Sequence, residues 1–209
     1  MDPFKRAFLS CCGDTASINF SLLTMPEKLD IHFSSFWLWE AAVMLVLDPL
    51  LKPMIGQFER KYKYLSKHLG QYNSFMLYCL TSYLFSFWMF YSYHRALAEQ
   101  PYSLKLTENK ILILGYIFLL GGLAGKIHSY KKYGALVIMG GHYFDLYSYP
   151  SSKLRYDPYY HPSGTATLAA LFGLALVRAS LAGLLLHPLC IVSYMLSFSF
   201  ENKRQKKSL

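Results

Sequence analysis

Four charged side chains interrupt stretches of sequence that are otherwise apolar: Glu40, Asp48, Arg178 and Glu201. A charge is costly in hydrocarbon, so such groups are usually paired or take part in binding ions, protons or ligands. Arg178 and Glu201 also fit positions at the ends of apolar segments, where water reaches them, and both interpretations stay open. A transporter path lined by such charges would be supported by repeated halves, and the sequence shows none.

A second group of reactive side chains lies between Tyr130 and Tyr160, a stretch rich in tyrosine that also contains His142. Tyrosine concentrates where its ring meets apolar groups and its hydroxyl meets water or lipid headgroups. The stretch is therefore interpreted as an interfacial belt, with a lid over a site at headgroup level as the alternative. No two histidines share a ligand spacing with a carboxylate, so no metal site is predicted.

Glycines recur along two neighbouring apolar segments of the chain. Glycine lets another backbone or a ligand approach closely. Small residues at this spacing more often pack helices than bind ligands, so helix packing is the first interpretation and a ligand groove the second. The positions are Gly115, Gly121, Gly122 and Gly125 in one segment and Gly134, Gly140 and Gly141 in the next.

The segments that carry these residues are apolar enough to be membrane helices. Hydrophobic residues make up 54% of the 209 and charged residues 16%, and the mean hydropathy is +0.22. The uncharged stretch 74–93 matches, as a helix, a hydrocarbon core of about 30 Å. The apolar run 111–125 predicts another span, and the run 164–200 predicts two, with a break near residues 178–181.

The first apolar run, 36–51, carries two acidic residues and a proline, which fits either a span or a re-entrant helix. We therefore predict an all-α fold, a polytopic membrane helix bundle of about four spans, with three or five as alternatives. The chain divides into an interfacial N-terminal arm at 1–35, a membrane domain at 36–202 and a basic C-terminal tail at 203–209.

The basic residues that give the chain its net charge of +9 lie in short loops between apolar runs. This distribution predicts contact with anionic or zwitterionic phospholipid headgroups and no nucleic acid partner. With five membrane segments, the basic residues of the first loop, of the loop after the third segment and of the tail share one face, as the positive-inside rule prefers. With four segments the tail crosses over and the orientation signal is lost.

Short motifs follow one another in a fixed order between residues 45 and 202. Their order and spacing resemble those of the membrane-embedded phosphatidylethanolamine N-methyltransferases. The similarity implies a four-helix membrane bundle in the endoplasmic reticulum or the mitochondrial inner membrane. The motifs include Asp48-Pro49-Leu50, Phe58-Glu59-Arg60-Lys61, Gly141-His142-Tyr143-Phe144, Asp157-Pro158-Tyr159-Tyr160 and Phe200-Glu201.

The resemblance also implies a cofactor and a reaction. Members of the family would bind S-adenosylmethionine through a Gly-x-Gly motif in the third segment and a Glu-Glu pair after the last segment, and then methylate a lipid amine. In this chain the matching cofactor positions are Gly121, Gly122, Glu201 and Asn202. The residues expected near the lipid amine are His142, Tyr143 and Tyr159.

The sequence departs from the family pattern at these positions. Leu120-Gly121-Gly122 stands where Gly-x-Gly is expected, and Glu201-Asn202 replaces the acidic pair. Two basic residues, Lys203 and Arg204, follow directly. Losing a carboxylate and gaining these charges would weaken the attraction for a cationic cofactor by about 1–3 kcal/mol.

These departures predict a family member with an eroded cofactor site and no bound cofactor. Its expected role is that of a structural or lipid-binding accessory subunit, with other membrane proteins and phospholipids as partners. The alternative is an active S-adenosylmethionine-dependent phosphatidylethanolamine N-methyltransferase of phosphatidylcholine synthesis. In that case Gly122 and Glu201 would still hold the cofactor.

Overall fold

The computed structural model describes residues 31–146 and 162–205, and for residues 162 and 201–205 it describes the backbone alone. These residues form helices and turns and contain no strand, so the predicted all-α class is confirmed. Most of the predicted arm at 1–35 and the end of the predicted tail at 203–209 lie outside the described residues.

Long helices joined by short turns make up the described part of the chain. The long helices are α1 (Phe36–Tyr62), α3 (Gln71–Glu99), α4 (Asn109–Tyr133), α6 (Pro162–Val177) and α7 (Leu181–Gln205). The short helices are α2 (Tyr64–Leu69) and α5 (Ala135–Ile138), and two 3-10 turns cover Leu104–Thr107 and Gly141–Phe144.

Two of the described helices, α4 and α7, have the length and hydropathy to cross a membrane. Helix α6 is apolar but shorter. Helix α3 contains the predicted stretch 74–93 and is long enough to cross a membrane. Its tyrosines and serines lower its mean hydropathy, so it is not among the two helices that meet both criteria. The helices predicted from the apolar runs are therefore confirmed, whereas the number of spans stays a prediction.

Left-handed backbone conformations end several of these helices. Lys63 has a φ of 48° and donates its N–H to the carbonyl of Glu59, which ends α1. Gly70 ends α2 with a φ of 80°, and Gly134 ends α4 with a φ of 82°. Glycine adopts this conformation without a steric penalty. The resulting sharp turns let a new helix begin within one or two residues of the last.

Helix α1 contains two prolines, Pro49 and Pro53, and continues past both of them. Proline has no N–H, so Pro53 leaves the carbonyl of Pro49 without its usual partner one turn earlier. The hydroxyl of Ser197 on α7 donates a hydrogen bond of 2.6 Å to that carbonyl. The predicted first segment, 36–51, is therefore part of a longer helix whose middle depends on α7.

The main core lies between α1, α3, α6 and α7. Leu45, Met89, Tyr93, Leu171 and Cys190 are each about 1% exposed within it. The hydroxyl of Tyr93 donates to the carbonyls of Leu171 and Gly183, at 3.3 and 3.4 Å. A buried polar group that finds partners in this way holds three helices in one register.

Helix α4 packs closely along α6 through glycines on both helices. A Cβ on Gly122 would lie 2.5 Å from the backbone nitrogen of Ala170 and 2.6 Å from the carbonyl oxygen of Ala166. A Cβ on Gly173 would collide in the same way with the backbone of Leu119. The interpretation of the glycines as packing residues is confirmed for Gly122, because α6 fills the space beside it.

The long helices that the structure describes alternate in direction, which places most of the described basic residues at one end of the bundle. At the opposite end, His32 before α1 donates to Gln100 after α3, and Ser103 donates to Ala179 after α6. The end of α1, the start of α3, the end of α4 and the end of α7 therefore share the other end. Basic residues there include Arg60, Lys61, Lys63, Lys67, Lys131 and Lys132.

Candidate functional site

A cavity of about 140 Å³ lies among α1, α3, α4, α6 and α7, near the basic end of the bundle. Polar side chains line it although the surrounding helices are apolar. Such a concave space with a few convergent polar groups is the usual form of a small-molecule site. The polar residues that carry the following argument are Asp48, Lys52, Ser86, Lys126, Tyr130 and Tyr143.

Asp48 is the buried acid of this cavity, and its side chain is only 1% exposed. Lys52, one turn later on α1, places its Nζ 2.8 Å from Asp48 Oδ2 and 2.7 Å from Ser86 Oγ. The hydroxyl of Ser86 on α3 donates to Asp48 Oδ1 at 3.1 Å. Both carboxylate oxygens therefore have donors, as a buried charge requires.

Lys126 on α4 lines the same cavity and brings a second ammonium group. Its Nζ lies 5.7 Å from the centroid of the Phe90 ring, within the range of a cation–π interaction. Among the side chains that the structure describes, those of residues 31–146 and 163–200, no carboxylate lies at ion-pair distance from Lys126. The ionised groups described around the cavity are thus two ammonium groups and one carboxylate, which leaves a net positive charge.

The turn Gly141–Phe144 forms one wall of the cavity through Tyr143. The Tyr143 ring lies where a Cβ on Gly56 of α1 would be, so glycine is needed there for the turn to dock. The ring of the neighbouring His142 stacks 4.0 Å from that of Tyr143. Burial, with the nearby charge of Arg60, lowers the pKa of His142 to about 4, so the imidazole is neutral at neutral pH.

The predicted cofactor residues lie away from this cavity where their positions are described. Gly122 faces α6, and Gly121 points outward with nothing within 4 Å of a Cβ built there. Glu201 and Asn202 lie on the last turns of α7, where only the backbone is described. The cofactor assignment of these residues stays a prediction.

Of the residues predicted near the lipid amine, two are brought together. His142 and Tyr143 are adjacent in the turn, and Tyr143 reaches the cavity. Tyr159 lies outside the described residues.

The charges predicted at membrane depth occupy separate environments. Trp88 Nε1 donates to Glu40 at 2.8 Å, and Arg178 contacts His94 Nε2 at the opposite end of the bundle. Of the two acidic residues Glu40 and Asp48, only Asp48 lines the cavity. These three charges therefore do not form one polar path.

Sequence reasoning missed Lys52 and Lys126 as residues of the site. In the sequence, Lys52 belongs to the first basic loop and Lys126 directly follows the apolar run 111–125. One available signal was the spacing of Asp48 and Lys52, which places opposite charges on the same helix face. No comparable signal links Lys126 to them, because the approach of α4 to α1 and α3 is a tertiary contact.

Residues 111–208 match the family model described as phospholipid methyltransferase. The match begins in α4 and includes α6 and α7, and thus Lys126, His142 and Tyr143. Asp48 and Lys52 lie before it. No match was found among curated proteins or among solved structures.

Proposed function

We propose that the protein binds a phospholipid headgroup in the cavity between its helices, because residues 111–208 match the phospholipid methyltransferase family model and two helices are long and apolar enough to cross a membrane. We further propose that it acts as an accessory subunit of a membrane assembly and transfers no methyl group. The resemblance to the N-methyltransferases favours the endoplasmic reticulum or the mitochondrial inner membrane as its location.

The charge of the cavity is the observation that carries this proposal. Methyl transfer would bring a sulfonium cation and a lipid amine together near Lys52 and Lys126. Like charges a few ångströms apart repel strongly where water is scarce. A phospholipid offers a phosphate, which two ammonium groups attract. The cavity therefore suits the anionic part of a lipid better than a cationic cofactor.

The surroundings of the predicted cofactor glycines support the same proposal. Backbone atoms of α6 occupy the space beside Gly122, and Gly121 faces away from the cavity. The bulky Leu120 and the single carboxylate of Glu201-Asn202 add to this at sequence level. A chain that keeps the bundle while losing these features would be retained for lipid binding or for assembly.

The proposal is tested by two titrations of the purified full chain in detergent. Native mass spectrometry with short-chain phosphatidylethanolamine is expected to show a bound lipid, and isothermal titration with S-adenosylmethionine is expected to show no micromolar binding. Micromolar cofactor binding would count against the accessory role. Failure to bind any phospholipid would count against the lipid site itself.

A second candidate function is active methyl transfer to a lipid amine, and the turn Gly141–Phe144 favours it. A lipid ammonium must lose a proton before its nitrogen can attack a methyl group. The imidazole of His142 contacts the cavity residue Tyr143 and is neutral at neutral pH, so it has an acceptor nitrogen, while its pKa of about 4 makes it a weak base. Tyr143 would then orient the headgroup.

Incubation of the purified protein with phosphatidylethanolamine and S-adenosylmethionine labelled on its methyl group separates the two candidates. Labelled lipid that is lost in the H142A variant would establish the enzyme. Absence of label, with a methyltransferase of the family as positive control, would leave the accessory role.

A further inference from the structure

Lys126 faces two spaces at once. Besides the polar cavity it lines an open groove on the outer side of α4, together with Leu123, Ile127, Tyr130 and Lys131. Tyr130 also borders both spaces. Leu123 and Ile127 are 46% and 59% exposed, so the groove is an apolar surface turned toward the membrane. Cavity and groove therefore meet at the side chains of Lys126 and Tyr130.

The ammonium of Lys126 lacks a counter-ion in the part of the chain that is described. Asp48 is the nearest candidate in the cavity, but both of its oxygens already accept hydrogen bonds from Lys52 and Ser86. An unpaired ammonium at membrane depth is costly unless an anion or water compensates it. An anion bound beside Lys126 would compensate this charge.

A lysine at the end of an apolar run can extend its ammonium to the membrane surface, which is the simplest other use of Lys126. Lys126 lies seven residues before Tyr133, the last residue of α4, which corresponds to about 10 Å along the helix axis. In the structure, its ammonium instead lies over the Phe90 ring of α3. The side chain therefore points into the bundle.

We propose that Lys126 binds the phosphate of a phospholipid whose headgroup enters the cavity and whose acyl chains lie in the groove of α4. The inference rests on the proposed function and adds the residue that recognises the lipid and the side from which the lipid enters. Lys52 supplies a second positive charge within the cavity. The apolar groove, about 600 Å³, gives the acyl chains a surface continuous with the bilayer.

Native mass spectrometry of the full chain in detergent tests this inference with two lipids that share the same acyl chains. Short-chain phosphatidylethanolamine has the phosphate, and the corresponding diacylglycerol lacks it. The variants are K126M, which removes the charge, K126R, which keeps it, and K110M, which removes an exposed lysine from the first turn of the same helix. Inorganic phosphate serves as a competitor.

K126M is expected to bind phosphatidylethanolamine about tenfold more weakly, because a charge-assisted hydrogen bond is lost. K126R and K110M should stay within about twofold of the unchanged protein, and diacylglycerol should bind K126M as it binds the unchanged protein. Circular dichroism confirms that each variant is folded.

Equal binding of phosphatidylethanolamine by K126M and the unchanged protein would overturn the inference while leaving the proposed function in place. Equal weakening of diacylglycerol binding would overturn it too, because the lysine would then act on the groove and not on the phosphate. Displacement of the lipid by millimolar inorganic phosphate would assign the site to the free anion. No lipid bound to the unchanged protein would refute the proposed function itself.

Discussion

Glu59 is a buried carboxylate that holds the turn between α1 and α2. Its side chain accepts hydrogen bonds from the backbone N–H groups of Leu65, at 3.0 Å, and Ser66, at 2.7 Å. Burial by itself would raise its pKa, but the hydrogen bonds from Ser66 and Leu65 outweigh burial and lower the pKa below the ordinary value of 4.5. The ionised form is thus the one that the fold selects.

The E59Q variant is expected to lose about 1–3 kcal/mol of stability at neutral pH, because one amide group replaces two acceptor oxygens. The lowered pKa means that the native state binds fewer protons than the unfolded one, so this stability is lost as the pH falls below 4.5. Thermal unfolding in detergent measures both effects. E99Q, at an exposed position, is the control, and equal melting temperatures for the two variants would refute the assignment.

His142 makes a second pH-dependent contribution to the stability of the fold, and this one acts at higher pH than that of Glu59. Its pKa falls from 6.5 in the unfolded chain to about 4 in the fold, chiefly through burial. The unfolded state therefore binds the proton first, and stability should drop by roughly 2–3 kcal/mol as the pH falls from 6.5 to 4. Unfolding of the H142Q variant should lack this slope. A slope unchanged in H142Q would show that another group titrates.

The residues of the site show what a sequence can reveal at this scale. Asp48 was recognisable because an acid within an apolar run must be paired or functional. Lys52 and Lys126 were not, because a lysine at the end of an apolar run equally well reaches the membrane surface. A lysine that lines the cavity is distinguished from one that reaches the membrane surface only by how close α4 lies to α1 and α3.

At the scale of the helices, the contact of α4 with α6 depends on which glycines of α4 face α6. G122A is expected to lose about 1–3 kcal/mol, because the added methyl group meets the α6 backbone. G121A should be neutral or stabilising by up to about 1 kcal/mol, since it adds helix propensity in open space. Chemical unfolding in mixed micelles compares the pair. A loss in G121A as large as that in G122A would show that Gly121 also has a close neighbour.

The helices were predictable from apolar runs, whereas their lengths and depths were not. The run 36–51 extends to Tyr62 as α1 because α7 supports its proline-containing middle, a contact without local signal. Helix α3 was the strongest predicted span, but its aromatic and hydroxyl side chains lower its hydropathy. Periodicity and length predict a helix more reliably than they predict how deep it lies.

For the whole molecule, the alternating helices decide between the two charge distributions that the sequence left open. The basic residues after α1 and at the end of α4 lie at the same end as the end of α7. This arrangement is the one predicted for five segments, with the basic end on the cytoplasmic or equivalent side.

Single cysteines in an otherwise cysteine-free chain test this orientation in sealed vesicles. We expect S66C, at the basic end, and S103C, at the other end, to react with a membrane-impermeant thiol reagent from opposite sides. The basic end should face the side with the anionic leaflet. Labelling of both cysteines from the same side would refute a bundle that crosses the membrane in alternating directions.

The hydrogen bond from Ser197 to the carbonyl of Pro49 joins two helices that are made at different times. Helix α1 leaves the ribosome long before α7. Until α7 arrives, the middle of α1 has a carbonyl that nothing within its own helix can satisfy. Such a helix would stay near the membrane surface or against an insertion factor, and enter fully only when α7 is made. Completion of the first helix would then report that α7 has been inserted.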